Sequence, residues 1–439
     1  MISYTMPEDL LVGCATASYQ VEGCLDRDGR EPSIWDDFCK VPGAVYEGQD
    51  GSVADEHYVR YEEDISLMAA LGFKAYRFSI SWPRIISYGK VNGAGISHYR
   101  NMIECIRKHG MKAVATLYHW DLPQSLERQG GWLSRETAYA FQKYAETCFL
   151  AFGDIVDKWI TLNEPWCSAY LGYGNGVHAP GKKGRYFEAV HNLLLAHGLA
   201  VMTFRAMKCK ESMIGIALNP ALPKAASKSD ADQSAAEVAR VMQTDIFLEP
   251  LMNGKYPKLL TDYFNIKFPS VEGDMEIIKS PIDFIGMNYY CENKVASDEK
   301  AEFLFSDVPS WQEKTAMGWP VTPYGLLRLL RYFQNKCKGL PIYITENGAA
   351  YEDVVEDGAV HDLKRCAYLQ KHIEICKMAI DEKINLKGYF VWSFMDNFEW
   401  SNGYSKRFGI VYVDYKTQQR IIKDSGYMMK DFINNAVEY

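Results

Sequence analysis

No run of about 18 consecutive apolar residues occurs in this chain, so nothing in the sequence reads as a membrane-spanning helix. Basic runs are missing too. Lysine and arginine number 48 against 56 aspartate and glutamate, a net charge of −8. A dedicated nucleic-acid binder needs a phosphate-neutralising patch, and none is visible. None of the 11 cysteines has a C-x-x-C partner, and they are scattered from Cys14 to Cys376. That pattern speaks against a disulfide framework and against a thiolate zinc site. It fits reduced thiols serving as small apolar residues in a reducing compartment. The stretch Met1 to Asp9 has no basic region leading into an apolar one, as a signal peptide would. The expectation is a soluble, cytoplasmic protein with neither a membrane nor a nucleic-acid partner.

Signatures of metal and nucleotide chemistry are equally scarce. There is no His-Glu-x-x-His, the nine histidines show no metal-ligand spacing, and no G-x-G-x-x-G follows an expected strand. His191 and His197 fall in a helical stretch and read as packed or solvent-facing side chains. Residues 176–183 match a phosphate loop until Lys183 stands where Ser or Thr belongs, and no strand leads into them. No metal and no cofactor is expected. No Gly/Ser/Pro-rich linker or shift in composition divides the chain, which reads as one domain over 1–439.

What is present is a repeat of strand and helix. Of the 439 residues 48% are apolar and 24% charged, near the average for a globular protein. Short β-branched, apolar runs at 10–15, 75–80, 113–117, 158–162, 214–218, 284–288, 342–345 and 389–393 read as eight strands. Between the first two, Tyr58, Tyr61, Ile65 and Met68 share a helix face that Gly72 can stop. Similar helical stretches cover 135–152, 187–209, 324–337 and 361–382. Alternating strand and helix implies parallel pairing with right-handed crossovers. Eight such units predict an α/β fold, a single (β/α)8 barrel with its active site at the C-terminal strand ends. Periodicity alone leaves a doubly wound sheet open. The longest irregular stretch, 291–321, follows the sixth strand, where a barrel builds its catalytic face.

Two of these strands end in a carboxylate. Residues 159–165, Trp-Ile-Thr-Leu-Asn-Glu-Pro, end the fourth strand, and Pro165 forces the chain out of it. Residues 341–348, Pro-Ile-Tyr-Ile-Thr-Glu-Asn-Gly, end the seventh, with Gly348 opening a turn. Either glutamate alone reads as an ion pair at a strand end. Glu164 and Glu346 at equivalent positions, 182 residues apart in sequence, point to paired acid–base work.

With those stretches the chain resembles glycoside hydrolase family one, the β-glucosidase family, over nearly its whole length. The matching segments are 15–23 (Ala-Thr-Ala-Ser-Tyr-Gln-Val-Glu-Gly), 76–82 (Tyr-Arg-Phe-Ser-Ile-Ser-Trp), 118–123 (Tyr-His-Trp-Asp-Leu-Pro), 161–165, 287–290 (Met-Asn-Tyr-Tyr), 344–348 and 392–400 (Trp-Ser-Phe-Met-Asp-Asn-Phe-Glu-Trp). The resemblance implies a retaining β-glucosidase with Glu164 as acid/base and Glu346 as nucleophile. In such enzymes the two carboxyls stand about 5–5.5 Å apart. It implies that Arg77 neighbours and ionises Glu346, that Tyr290 hydrogen-bonds it, and that Asn163 supports the pair. It assigns the sugar's hydroxyls to Gln20, His119, Asn163, Asn288 and Glu399. Indole planes or N–H groups come from Trp120, Trp392 and Trp400. Trp319 matches a platform for the leaving group, and Asn219 and Phe408 match the entrance. Trp392-Ser393 matches a non-proline cis peptide of the family. The substrates implied are cello-oligosaccharides and aryl or alkyl β-glucosides, with side activity on β-galactosides or β-fucosides.

The chain departs from the family at Val12, Tyr324 and Met428-Met429, where tryptophan, an acidic residue and an aromatic pair are usual, and these positions read as structural. The loop 182–186 is shorter than in many relatives, which bears on leaving-group preference. Alternatives remain: a 6-phospho-β-glycosidase, a non-catalytic carbohydrate-binding protein on the same fold, or transglycosylation as the main reaction. The presence of Glu399 speaks against a phosphorylated sugar, because a carboxylate beside its O6 would repel a dianion. The natural glucoside and the oligomeric state are left open.

Overall fold

The computed structural model describes residues 10–207 and 211–435. Met1 to Asp9, where a leader was sought, and Cys209, the expected end of the helical stretch 187–209, lie outside them. Eight strands carry the fold: β1 (Leu11–Ala15), β2 (Ala75–Ser79), β3 (Lys112–Tyr118), β4 (Lys158–Asn163), β5 (Met213–Leu218), β6 (Phe284–Asn288), β7 (Ile342–Asn347) and β8 (Leu386–Trp392). Each pairs in parallel with the next, and β8 closes on β1. A closed barrel replaces the doubly wound alternative, and every expected run is a strand. β8 begins at Leu386, three residues ahead of expectation. Lys387 and Gly388 interrupt the apolar run there but not the pairing, since Gly388 lies opposite Leu11.

The principal outer helices are α1 (His57–Ala70), α2 (Gly93–Lys108), α3 (Arg135–Phe152), α4 (Tyr186–Ala206), α5 (Pro323–Lys336) and α6 (Leu363–Asp381). On α1, Tyr58, Ile65 and Met68 are buried. Gly72, with φ at +86°, ends it, and its neighbour Phe73 donates its N–H back to Met68. That is the left-handed helix terminus a glycine permits. α4 has the length and hydropathy of a membrane-crossing helix, yet 78% of that stretch is buried inside the protein, packed on α3. His191 and His197 are both buried on it, the first beside Asp274 and the second beside Thr161. Lys182, in the segment resembling a phosphate loop, pairs with Glu127 at 2.5 Å.

The barrel interior is filled by alternating small and large side chains, Ala15, Ala75 and Val114 among Phe284, Tyr343 and Phe390. Glycine makes the room. A Cβ on Gly13 would lie 2.4 Å from the Phe390 ring, and one on Gly388 would lie 2.4 Å from Tyr343. The departures from the family pattern lie away from this interior: Val12 and Met429 belong to the outer core, and Tyr324 is exposed.

The stretch 291–321 is not irregular throughout, contrary to expectation. Lys294–Ser297 pairs antiparallel with Phe305–Val308 and parallel with Lys224–Ala225. Within Lys294–Ser297 only Val295 is buried, so the apolar pattern is too short to announce a strand. This small sheet stands over the C-terminal ends of the barrel strands, and Phe303 and Phe305 face the cavity there.

Candidate active site

Both glutamates stand at the C-terminal mouth of the barrel. Glu164 follows β4 with φ at +46°, so the chain turns at the glutamate itself, before Pro165. Its N–H donates to the Ala217 carbonyl on β5 at 2.8 Å, and its own carbonyl accepts from Cys167 at 2.9 Å as a helical turn begins. Glu346 lies inside β7, with its carbonyl accepting from Tyr289 at 2.9 Å. Trp120 and Trp400 also have positive φ, +77° and +51°. Three site residues in sparsely populated backbone conformations is a concentration that surrounding structure must enforce.

A single hydrogen-bond network joins the carboxyls. Arg77, on the inward face of β2, sends Nη1 to Glu346 Oε1 at 2.6 Å and to the Thr345 carbonyl at 2.9 Å. Its Nη2 reaches Asn163 Oδ1 at 2.6 Å and its Nε reaches Thr116 at 3.3 Å. Tyr290 donates its hydroxyl to Glu346 Oε2 at 2.6 Å. Asn288 donates to Glu164 Oε1 at 2.7 Å and to Asn163 Oδ1 at 3.0 Å, while Thr345 donates to its oxygen at 2.6 Å. The thiol of Cys167 donates to Glu164 Oε2 at 3.0 Å. Arg77, Asn163 and Asn288 therefore set where both carboxyls sit.

Burial and neighbours separate the two acids. Burial, and then the charge of Glu346, push the Glu164 carboxyl up to about 7, against hydrogen bonds from Cys167 and Asn288. Burial raises Glu346 as well, but the Arg77 guanidinium and the Tyr290 hydroxyl oppose it. Among the described residues Glu346 has a cation in contact and Glu164 does not, so the proton that two buried carboxyls share belongs on Glu164. Burial and Arg77 hold His119 well below its usual range, and it is neutral.

These groups open onto a cavity of about 480 Å³. Of the residues singled out from sequence, it is lined by Glu164, Glu346, His119, Trp120, Asn219, Asn288, Tyr290, Trp319, Trp392, Glu399, Trp400 and Phe408. Gln20, Arg77 and Asn163 stand behind this wall and hold its members. Gln20 Nε2 donates to the Phe398 carbonyl at 2.8 Å and to Glu399 at 3.4 Å. Asn163 Nδ2 reaches His119 Nε2 at 3.0 Å. His119 lies between Trp392 and Trp400 with ring centroids 5.8 and 6.0 Å away. Tyr290, Trp319 and Phe408 form a second aromatic group, 5.3 to 6.1 Å apart. The Trp392–Ser393 peptide is cis. Glu399 is pushed up to about 8 by burial and by the carboxylates of Glu346 and Glu164.

Sequence reasoning missed Cys167, His178 and the pair Phe303 and Phe305, all of which line the cavity. The spacing offered a signal for Cys167 only: it lies three residues beyond Glu164, one helical turn. The phenylalanines reach the cavity through the small sheet that the pattern did not disclose.

The chain matches the model of "Glycosyl hydrolase family 1" over residues 2–437. It is 48% identical over 436 residues to a 1,4-beta-D-glucan glucohydrolase of Thermotoga neapolitana, with 98% of each chain covered. A bifunctional beta-D-glucosidase/beta-D-fucosidase of Bifidobacterium breve is 40% identical over 97% of this chain and 98% of its own. The solved structure of the family 1 β-glucosidase from Thermotoga maritima superposes with a TM-score of 0.96 at 46% identity, covering 98% of this chain and 99% of that one.

Proposed function

The chain belongs to glycosyl hydrolase family 1, and from that premise we propose that it is a retaining β-glucosidase in which Glu346 is the nucleophile and Glu164 the acid/base. The observation that carries the roles is the asymmetry of the pair: Arg77 and Tyr290 hold Glu346 as a carboxylate, while Glu164 is met by an amide and a thiol. In the first step Glu346 Oε attacks the anomeric carbon as Glu164 gives its proton to the glycosidic oxygen, and the alcohol leaves. In the second, Glu164 takes a proton from water, the water oxygen bonds to the anomeric carbon, and Glu346 is released.

His119, Asn288 and Glu399 hold the sugar by its hydroxyls, with Gln20 steadying Glu399 from behind, and Trp392 and Trp400 bound its faces. The substrates are short β-glucosides, cello-oligosaccharides among them, which is the step that would serve cellulose degradation. Tolerance of β-fucosides is supported by the bifunctional relative. Ten unpaired cysteines among the described residues support a reducing, cytoplasmic location.

The test is release of nitrophenol from its β-glucoside and from the 6-phosphorylated β-glucoside, in parallel. Turnover of the plain glucoside alone supports the reading. Turnover of the phosphorylated one alone keeps the mechanism and overturns the substrate class, and silence on both from folded protein favours a binding role.

A further inference from the structure

Glu164 is gripped on the side away from Asn288 by a group that the double-displacement scheme leaves idle. Cys167 is buried, lines the cavity, and sends its thiol to Glu164 Oε2 at 3.0 Å. Behind it, Asn219 Nδ2 donates to the sulfur at 3.3 Å. With Asn219 donating to the sulfur, the S–H hydrogen is the one left to meet the carboxyl. Both oxygens of Glu164 are then met by donors, Oε1 by Asn288 and Oε2 by Cys167. Donors favour the ionised carboxylate, the form that exists once the proton has passed to the leaving group.

We propose that Cys167, oriented by Asn219, is a positioning residue that fixes the Glu164 carboxyl and sets how readily it gives up and regains its proton. A thiol suits this task because it is a weak donor. It steadies the carboxylate without locking the group in that form, and Glu164 must be acid in one step and base in the next. Burial and the neighbouring Glu164 push the Cys167 thiol well above its usual range, so it remains a donor rather than a competing anion. The other charged or titratable groups facing Glu164 are Glu346 on β7, Arg77 on β2, Tyr290 after β6 and Glu399 after β8. The Cys167 sulfur hydrogen-bonds Glu164 and Asn219, not these four groups.

The inference rests on Glu164 being the acid/base, and the experiment separates the two ideas. The pH dependence of kcat/KM is measured on an alkyl β-glucoside, whose leaving group needs the proton, for wild type, Cys167→Ala, Cys167→Ser, Asn219→Ala and Glu164→Gln. Losing the donor moves the alkaline limb up by about half a pH unit in Cys167→Ala, and in the same direction in Asn219→Ala. The stronger hydroxyl donor of Cys167→Ser moves it down. Opposite shifts in the alanine and serine variants are the signature that a purely structural role would not produce. Unmoved limbs, or shifts of one sign in both, overturn the proposal. An alkaline limb that persists in Glu164→Gln overturns the acid/base reading itself.

Discussion

Arg77 Nη1 stands 2.6 Å from Glu346 Oε1 in a pair that is almost wholly buried, with side-chain exposures of 1% and 4%. The same guanidinium reaches Thr345, Asn163 and Thr116, so four partners depend on one planar fork. Lysine offers a point charge and cannot make these contacts together. Arg77→Lys is expected to lose on the order of 100-fold in kcat/KM on nitrophenyl β-glucoside, the scale of removing a preorganised electrostatic partner. With the cation displaced, only hydrogen bonds such as that from Tyr290 are left to oppose burial at Glu346, and the acidic limb of the pH profile moves to higher pH. An acidic limb that stays in place would show that Arg77 does not hold the nucleophile ionised.

Glu164→Ala separates proton donation from attack. Glycosidic bonds to dinitrophenol break without protonation, so single-turnover release of that phenol should stay near the wild-type rate. Alkyl glucosides should lose roughly 10²- to 10⁴-fold, the usual contribution of a general acid. Added azide, which needs no base to attack, should restore turnover of the activated substrate and give a β-glucosyl azide. Equal losses on both substrates would remove Glu164 from the acid role.

The eight strands were legible because each is a short apolar run followed by an amphipathic helix, and the two carboxylates because Asn163-Glu164-Pro165 and Glu346-Asn347-Gly348 end such runs. Arg77 could be placed inside the barrel from the alternation of Tyr76, Phe78 and Ile80 around it. Its bond to Glu346 could not be derived from pattern, since it joins residues 269 positions apart, and was reached only through the family resemblance. Phe305, and Phe303 in the turn before it, stayed hidden because their hairpin, with Val295 as the buried residue of Lys294–Ser297, has too little apolar periodicity. Gly348 was read as a turn former. It lacks the positive φ that reading implies, and its role is close approach to β8.

Glu399 links function to stability through pH. Its carboxyl is pushed up from an ordinary 4.5 to about 8 in the folded protein. Between those values the native state keeps a proton that the unfolded chain releases, so this group's contribution to stability falls as pH rises through the window. Glutamine has the shape of the protonated acid and never ionises. The Tm of Glu399→Gln relative to wild type should therefore be higher at pH 8.5 than at pH 4. If Glu399 holds the sugar as proposed, kcat/KM for β-glucosides in the same variant should fall by about tenfold or more, because the amide puts an NH2 donor where a carboxyl oxygen would accept from the sugar's hydroxyls. A Tm difference that is flat across this range would show that Glu399 does not hold its proton in the free enzyme.

Gly348 sets how closely β7 approaches β8. A Cβ there would stand 1.6 Å from the Trp392 carbonyl oxygen, a backbone atom that no rotamer change can remove. Gly348→Ala must move the end of β7 away from β8, carrying Glu346 two residues earlier and disturbing Trp392, which lines the cavity. The expected cost is about 1–3 kcal/mol of stability, as for other overpacked cores, with a larger proportional loss in kcat than in folded fraction. Gly93 is the matching control: it begins α2, a Cβ there meets nothing within 4 Å, and its φ is not in the left-handed region. Gly93→Ala should leave Tm equal or slightly raised, since alanine narrows the unfolded ensemble. Thermal melts and nitrophenyl β-glucoside kinetics on the two variants decide the matter. Wild-type kcat in Gly348→Ala would mean that the spacing of β7 and β8 does not govern the nucleophile.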